Sequence, residues 1–304
     1  MVRFDRLDTV DLSNWIKLAK TQTNRGRVAE RIPRLAVADA GWFAVYICCQ
    51  SGKFYSGGDT SCVFPLMSVI KPLSLLYLLE HLGAQQVLNW VGMEPSDAPF
   101  NSLEQLVSDG GQPRNPMINS GAITLADKLP GNDASNRTHS LCQWLNQLAG
   151  CQIQLDEFML ASVRLSRSPA NQAIANYLSE KGHLENIDLA LDTYEQICCL
   201  SGTVEDLALL GKLLALESAR LSPQHQQIVN SVMLTCGLYQ ASAEYALKIG
   251  LPMKSGIGGG LLAIVPGEGA IAAYSPALDS IGNPVGAIAF VEVLTQNLKL
   301  SMFN

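Results

Sequence analysis

Strand-forming texture is confined to the two ends of this chain, and helical spacing fills what lies between. Few folds accommodate that order. Near the N-terminus GWFAVYICCQSGKFYSGGD, residues 41–59, carries an aromatic and β-branched run that breaks at Gly52 and resumes before Gly57 and Gly58, which predicts a hairpin. Near the C-terminus GGGLLAIVPGEGAIAAYS and VGAIAFVEVL predict three strands joined by Gly, Pro and Asn turns, the first turn being PGEG. From Pro65 to about Tyr245 helical segments follow one another, separated by Pro, Gly and Asn. If both ends pair, they make one mainly antiparallel sheet, and the helices are inserted between its early and late strands. The predicted class is α/β, more strictly α+β, in a single catalytic-sized domain: an α/β part over about 1–75 and 240–304, and a helical part over about 76–239. A cleft between the two parts is the expected ligand site.

Several helix starts are legible one by one. Ser168–Pro169 and Ser222–Pro223 each place a capping hydroxyl ahead of a proline at the first helical position, where its missing N–H costs nothing. Thr203 and Asp206 form the pattern of a capping box before the apolar stripe Leu207, Leu210 and Leu214. The stretch 93–118 holds Pro95, Pro99, Pro113 and Pro116, and is predicted to be a long irregular connection of the kind that often carries function.

Composition excludes several classes. With 304 residues, 48% of them hydrophobic and 16% charged, the chain can bury a sizeable core, and disorder is not expected. Its 21 Lys plus Arg against 27 Asp plus Glu give a formal net charge of −6, with no basic run to bind nucleic acid. No apolar stretch approaches the ~20 residues that a bilayer crossing requires, so no membrane partner is expected. The start, MVRFDRLDTVDLSNW, has acids where a signal peptide carries its apolar core, which reads as cytoplasmic. Eight Cys include the adjacent pairs Cys48–Cys49 and Cys198–Cys199 and no CxxC, so they are read as small buried apolar residues, with neither metal nor cofactor expected.

Two short motifs carry chemistry. Ser68-Val69-Ile70-Lys71 precedes Pro72 and the apolar run LSLLYLLEHL, which stops at Gly83. With Ser68 at a helix start, Lys71 lies one turn along on the same face, where its amine can reach the hydroxyl. A lysine packed among Leu66, Met67 and Val69 is desolvated, which lowers its pKa and suits it to act as a base near neutral pH. The second motif, Lys254-Ser255-Gly256-Ile257-Gly258-Gly259-Gly260, lies directly before the strand LLAIVP; small residues there let backbone N–H groups approach a ligand. SxxK followed by K-[ST]-G ahead of a late strand is the order of the penicillin-recognising serine enzymes.

At this point the chain resembles a known family, the serine-dependent glutaminases, which share the β-lactamase-like fold. The resemblance runs from about Asn14 to the C-terminus. It rests on GRVAxxIPxLA at 26–36, SVIKP at 68–72, NPMINSGAI at 115–123, NQAIANYL at 171–178, LDTY at 191–194, MLTCGLY at 233–239 and GLPMKSGIGGGLLAIVP at 250–266. It implies a glutaminase, hydrolysing the side-chain amide of glutamine to glutamate and ammonia, with Ser68 the nucleophile and Lys71 its base partner. Tyr239 would be the second proton-transfer group, the amides of Ser68 and Ile257 the oxyanion hole, and Asn119, Asn171 and Tyr194 the holders of the substrate's carboxylate end, with Lys254 and Ser255 beside them. A homo-oligomer, dimer or tetramer, is implied as well. The residue chemistry agrees: amide hydrolysis needs a nucleophile, a proton donor for the leaving ammonia and a base for the deacylating water, and Ser, Tyr and Lys supply these without a metal.

The chain also departs from the family. Arg31 stands where a Tyr usually precedes the IP of the first motif, Arg164 stands where a Glu is found seven residues before Asn171, and Met67 replaces a Gln before the nucleophile. Were Arg31 and Arg164 both to face the pocket, an ammonium would meet like charge costing roughly 4 kcal/mol per pair at 4 Å and an effective dielectric near 20. That is about a thousandfold in binding. An alternative therefore accompanies the glutaminase reading: the same machinery acting on an amide without a free α-ammonium, such as an N-acylated glutamine or a dicarboxylic monoamide. A further alternative keeps glutamine, with Glu157 as the acid displaced along the chain. A β-lactamase-type enzyme and a non-catalytic amide-binding protein are the other readings weighed.

Overall fold

The computed structural model describes residues 3–304; Met1 and Val2, which open the acid-bearing start, lie outside the described residues. Its eight strands are β1 (Ala44–Cys49), β2 (Phe54–Gly58), β3 (Phe64–Pro65), β4 (Gln154–Leu155), β5 (Leu200–Gly202), β6 (Met253–Ser255), β7 (Gly260–Val265) and β8 (Gly269–Tyr274). Five form one antiparallel sheet in the order β2-β1-β8-β7-β6. The two ends of the chain meet at β1 and β8, in register from Ala44 opposite Tyr274 to Cys49 opposite Gly269. The hairpin read at 41–59 is β1 and β2, and the PGEG turn joins β7 to β8, with Gly267 at φ 75.

β1, β7 and β8 are buried at every position, so no polar alternation marks them. The two faces nevertheless divide cleanly. Tyr46, Cys48, Leu262 and Ile264 join the core shared with the helix Val204–Ala215, whereas Val45, Ile47, Cys49, Leu261 and Ala263 pack with Phe290 and Val291 on the other side. Adjacent Cys48 and Cys49 thus point to opposite faces, and none of the eight cysteines forms a disulfide.

One predicted strand is a helix. VGAIAFVEVL lies within Val285–Leu298, which packs with the helix Thr9–Gln22 against the sheet. Its run is apolar at so many successive positions that a period of 2 and one of 3.6 fit it equally; its length of 14 residues and its docking on a finished sheet face decide for helix. The small sheet β3-β5-β4 was not anticipated, because strands of two or three residues carry no periodic signal. The helix Val204–Ala215, within the stretch read as helical, lies against the five-stranded sheet.

Caps follow the sequence closely, with one exception. Thr203 and Asp206 form the reciprocal capping box, and Ser168 accepts from Asn171 N. Ser222 makes no capping bond; its own N–H donates to Glu80 Oε1 at 2.9 Å. The connection 93–118 is irregular apart from the helix Leu103–Ser108.

Gly211 lets the helix Val204–Ala215 sit close on the sheet: a Cβ there would stand 2.6 Å from both Ala270 Cβ and Leu262 Cδ1. Gly211→Val is expected to destabilise the protein by about 1–3 kcal/mol through overpacking, read from urea unfolding midpoints. An unchanged midpoint would mean that this contact does not set the helix-to-sheet distance.

Candidate active site

Ser68 lies in a 3-10 turn, Met67–Ile70, that runs directly into the helix Lys71–Leu82. The turn is held from both sides. Leu66 N donates to Leu200 O at 2.8 Å, and the segment after β6 presses against it so tightly that a Cβ on Gly256 would stand 2.7 Å from Leu66 O and 3.2 Å from Ser68 N. Met67, immediately before Ser68, is forced to φ 46, a left-handed conformation that costs a non-glycine residue about 1–2 kcal/mol. Ser68 and Ile257 both line the cavity at this turn, and among the described residues neither amide donates to a backbone acceptor.

Lys71 is buried, 4% exposed. Its Nζ donates to Met117 O at 3.0 Å and to Asn119 Oδ1 at 2.9 Å, and it lies 5.7 Å from the centre of the Tyr194 ring. Among the described residues it makes no hydrogen bond to Ser68 Oγ. Burial lowers its pKa to about 8, because the ammonium has lost its water while its partners carry only partial charge.

Asn119 ties the site together. It opens the helix Asn119–Asp127 without capping it; its Oδ1 accepts from Lys71 and from Tyr194 Oη at 3.1 Å, and its Nδ2 donates to Asn171 Oδ1 at 2.8 Å. One amide thus links groups from four helices.

On the other side of Ser68, Tyr239 sits at φ 58 with its hydroxyl buried. Burial pushes its pKa up to about 12, and the hydroxyls of Ser68 and Ser255, which it faces, pull only part of the way back. No partner reaches the Tyr239 hydroxyl at hydrogen-bonding geometry among the described residues. Lys254 is fully buried, donates to Gly237 O at 2.9 Å and Ser255 O at 2.7 Å, and lies 4.4 Å from the Tyr239 ring centre. Burial and then the charge of Lys71 hold its pKa well below the usual range for lysine. Ser255 Oγ donates to Asn283 Oδ1 at 2.7 Å, a partner that sequence reading missed.

The cavity at this point is narrow, about 60 Å³, and is lined by Ser68, Asn119, Asn171, Tyr194, Ile257 and Arg31 of the predicted residues. Lys71, Tyr239, Lys254 and Ser255 are buried beside it. Two roomier hollows, about 630 and 770 Å³, contain none of these residues, and convergence of polar groups, not volume, marks the site. Among the described residues no cluster of His, Cys, Asp and Glu is placed to hold a metal ion.

The two arginines part company. Arg31 is at the cavity mouth, 3.5 Å from Ser166 O through Nη1. Arg164 is not in the site: it sits in the last turn of the helix Glu157–Leu165 and turns outward to an ion pair with Asp192, exposed enough to keep its hydration. Glu157 lies at the start of that helix and lines a different hollow. The acid in the cavity wall is Glu195, which was missed although it directly follows Tyr194. It is 4% exposed and receives a two-pronged pair from Arg167, Nε to Oε1 at 2.8 Å and Nη2 to Oε2 at 2.7 Å.

Comparison with known proteins places the chain in a family. A family model described as Glutaminase matches residues 26–303. A glutaminase of Synechocystis sp. is 42% identical over 298 residues, covering 97% of this chain and 91% of its own. A solved structure of a probable glutaminase superposes with a TM-score of 0.91 at 33% identity, covering 98% of this chain and 100% of that one. Another, the covalent complex between a Bacillus subtilis glutaminase and 5-oxo-L-norleucine formed by reaction with 6-diazo-5-oxo-L-norleucine, gives 0.87 at 29% identity, covering 97% and 99%.

The tight approach at Gly256 is testable. Gly256→Ala places a methyl against backbone atoms that no side-chain rotation can relieve, and is expected to lower unfolding free energy by about 1–3 kcal/mol in urea titrations.

Proposed function

The chain belongs to the glutaminase family and has its β-lactamase-like fold; from this we propose that it hydrolyses the side-chain amide of L-glutamine to L-glutamate and ammonia through an acyl-enzyme on Ser68. The observation that supports the assignment of roles is the setting of Ser68, with a buried low-pKa lysine three residues along, a buried phenol facing its hydroxyl, and Ile257 in the same cavity wall, the amides of Ser68 and Ile257 having no backbone acceptor among the described residues.

In this reading the neutral Lys71 amine takes the Ser68 proton as Oγ attacks the amide carbon. The negative charge that develops on oxygen meets the N–H groups of Ser68 and Ile257, fixed in place before the reaction begins. The Tyr239 hydroxyl, protonated up to about pH 12, donates to the leaving nitrogen, the C–N bond breaks and ammonia departs. Water then attacks the ester, the Tyr239 tyrosinate takes its proton, and the C–Oγ bond breaks as the Lys71 ammonium returns its proton to Oγ, which releases glutamate and restores the Ser68 hydroxyl. Lys254 acts from behind: burial and the charge of Lys71 hold its pKa well below the usual range for lysine, which favours the neutral amine beside the Tyr239 ring. Asn119, Asn171 and Tyr194 offer hydrogen bonds to the α-carboxylate.

The altered-substrate reading loses its premise. It required both arginines in the pocket, and Arg164 faces Asp192 at the surface while Glu195 lines the cavity. No helix among the described residues is long and apolar enough to cross a membrane. A cytoplasmic homo-oligomer, dimer or tetramer, belongs to the same proposal on family resemblance, and light scattering of the purified protein checks its size.

Two outcomes are expected. Ser68→Ala should abolish ammonia release from glutamine while the protein stays folded; retained turnover would remove Ser68 from the mechanism. Because the base works as the free amine, kcat/KM should rise about tenfold per pH unit below 8 and level off above it, following the Lys71 pKa. A flat profile between pH 6 and 9 would rule Lys71 out as that base.

A further inference from the structure

The charges in the cavity wall ask for an assignment that the catalytic groups do not supply. Glutamine is a zwitterion, and its ammonium must lose water on entering so narrow a space. Arg31 at the mouth repels it, and the buried amines of Lys71 and Lys254 offer nothing to attract it. Among the residues lining the cavity, Glu195 carries the carboxylate. We propose that Glu195, aimed by Arg167, binds the α-ammonium group of the substrate and so selects α-amino amides over amides that lack it. This rests on the glutaminase reading above.

Three observations support it. First, Glu195 follows Tyr194 on the helix Ile187–Cys198, and Tyr194 Oη is bonded to Asn119; the carboxylate therefore stands beside the groups assigned to the substrate's α-carboxylate. Ammonium and carboxylate share one carbon in glutamine, so their receptors must be neighbours. Second, the Arg167 fork uses one lone pair on each Glu195 oxygen and leaves the others for a second donor, while fixing the carboxylate plane. Third, the helix presents Asp192 and Glu195 to different arginines. Asp192, one turn earlier, meets Arg164 at the surface, and Glu195 meets Arg167 at the cavity. Arg164 stands where the family resemblance calls for an acid, and Glu195 puts a carboxylate back into the wall from the neighbouring helix.

The experiment measures binding, so that it reads Glu195 independently of turnover. In the Ser68→Ala protein, dissociation constants are determined calorimetrically for L-glutamine and for glutaramate, the same amide with hydrogen in place of the α-ammonium. A charge-assisted hydrogen bond of this kind corresponds to roughly 10–150-fold in affinity. Glutamine should bind at least tenfold tighter than glutaramate. Adding Glu195→Gln should weaken glutamine by about that factor and move glutaramate less than threefold, erasing the preference. Arg167→Lys, which keeps the charge but loses the fork, should erase part of it, and serves if Glu195→Gln does not fold.

If Arg167 and Glu195 only fasten the two helices together, both variants lower the thermal midpoint and leave the preference intact, which overturns the proposal. A preference below threefold in the Ser68→Ala protein with Glu195 intact, or no binding of either amide, overturns it too. Failure of the glutaminase reading appears separately, as absence of Ser68-dependent ammonia release from the wild-type protein.

Discussion

The pairing of β1 with β8 is the contact on which everything else rests. It joins residues 44–49 to residues 269–274 across most of the chain, and the entropy of closing so large a loop is recovered only by the burial of both sheet faces. Once made, it fixes where the following segments go. The N-terminal hairpin leads through β3 to the turn that bears Ser68; β6 at the far edge delivers Lys254 and Ser255, and the glycine segment beyond it brings Ile257. Gly256 is the hinge of that meeting, because its missing side chain lets two backbones touch where any other residue would hold them apart. Motifs nearly two hundred residues apart thereby become one surface.

Burying two lysines in that surface has an electrostatic consequence. Each ammonium loses hydration, and the charge of Lys71 adds to the cost of charging Lys254, so the neutral amine is favoured at both positions. What holds the amines is a set of neutral acceptors: Met117 O and Asn119 Oδ1 for Lys71, Gly237 O and Ser255 O for Lys254. A carboxylate in either place would have pinned the charge and raised the pKa. The absence of acids around Nζ is thus as important to the basicity of Lys71 as its burial. Tyr239 follows the same logic with opposite sign, since desolvation keeps its proton on and makes it a donor.

Net charge says little about such a site. A formal charge of −6 coexists with a cavity that has two depressed lysines beside it, one arginine at its mouth and one carboxylate in its wall. The deciding quantity is where each charge is solvated. Arg164 keeps its water and pairs with Asp192 at the surface, so it exerts little field inside; Glu195 has given up its water, and its field acts through a medium that screens it less.

Much of this protein was legible in one dimension. The hairpin at 41–59, the antiparallel sheet from both ends, the Thr203 capping box and the convergence of SVIKP with KSGIGGG all follow from period, turn residues and motif order, which are local properties of the sequence. Local information failed where several structures satisfy the same pattern. VGAIAFVEVL is apolar enough to be strand or helix, and only the sheet face waiting for it made it the helix Val285–Leu298. The family resemblance set Arg164 at a pocket position, but the phase of its helix turned it to solvent, and packing turned Glu195, a residue with no motif of its own, inward. Sequence determined which side chains this protein has for its chemistry; tertiary structure decided which of them lose their water, because burial depends on what neighbouring elements cover and not on spacing along the chain.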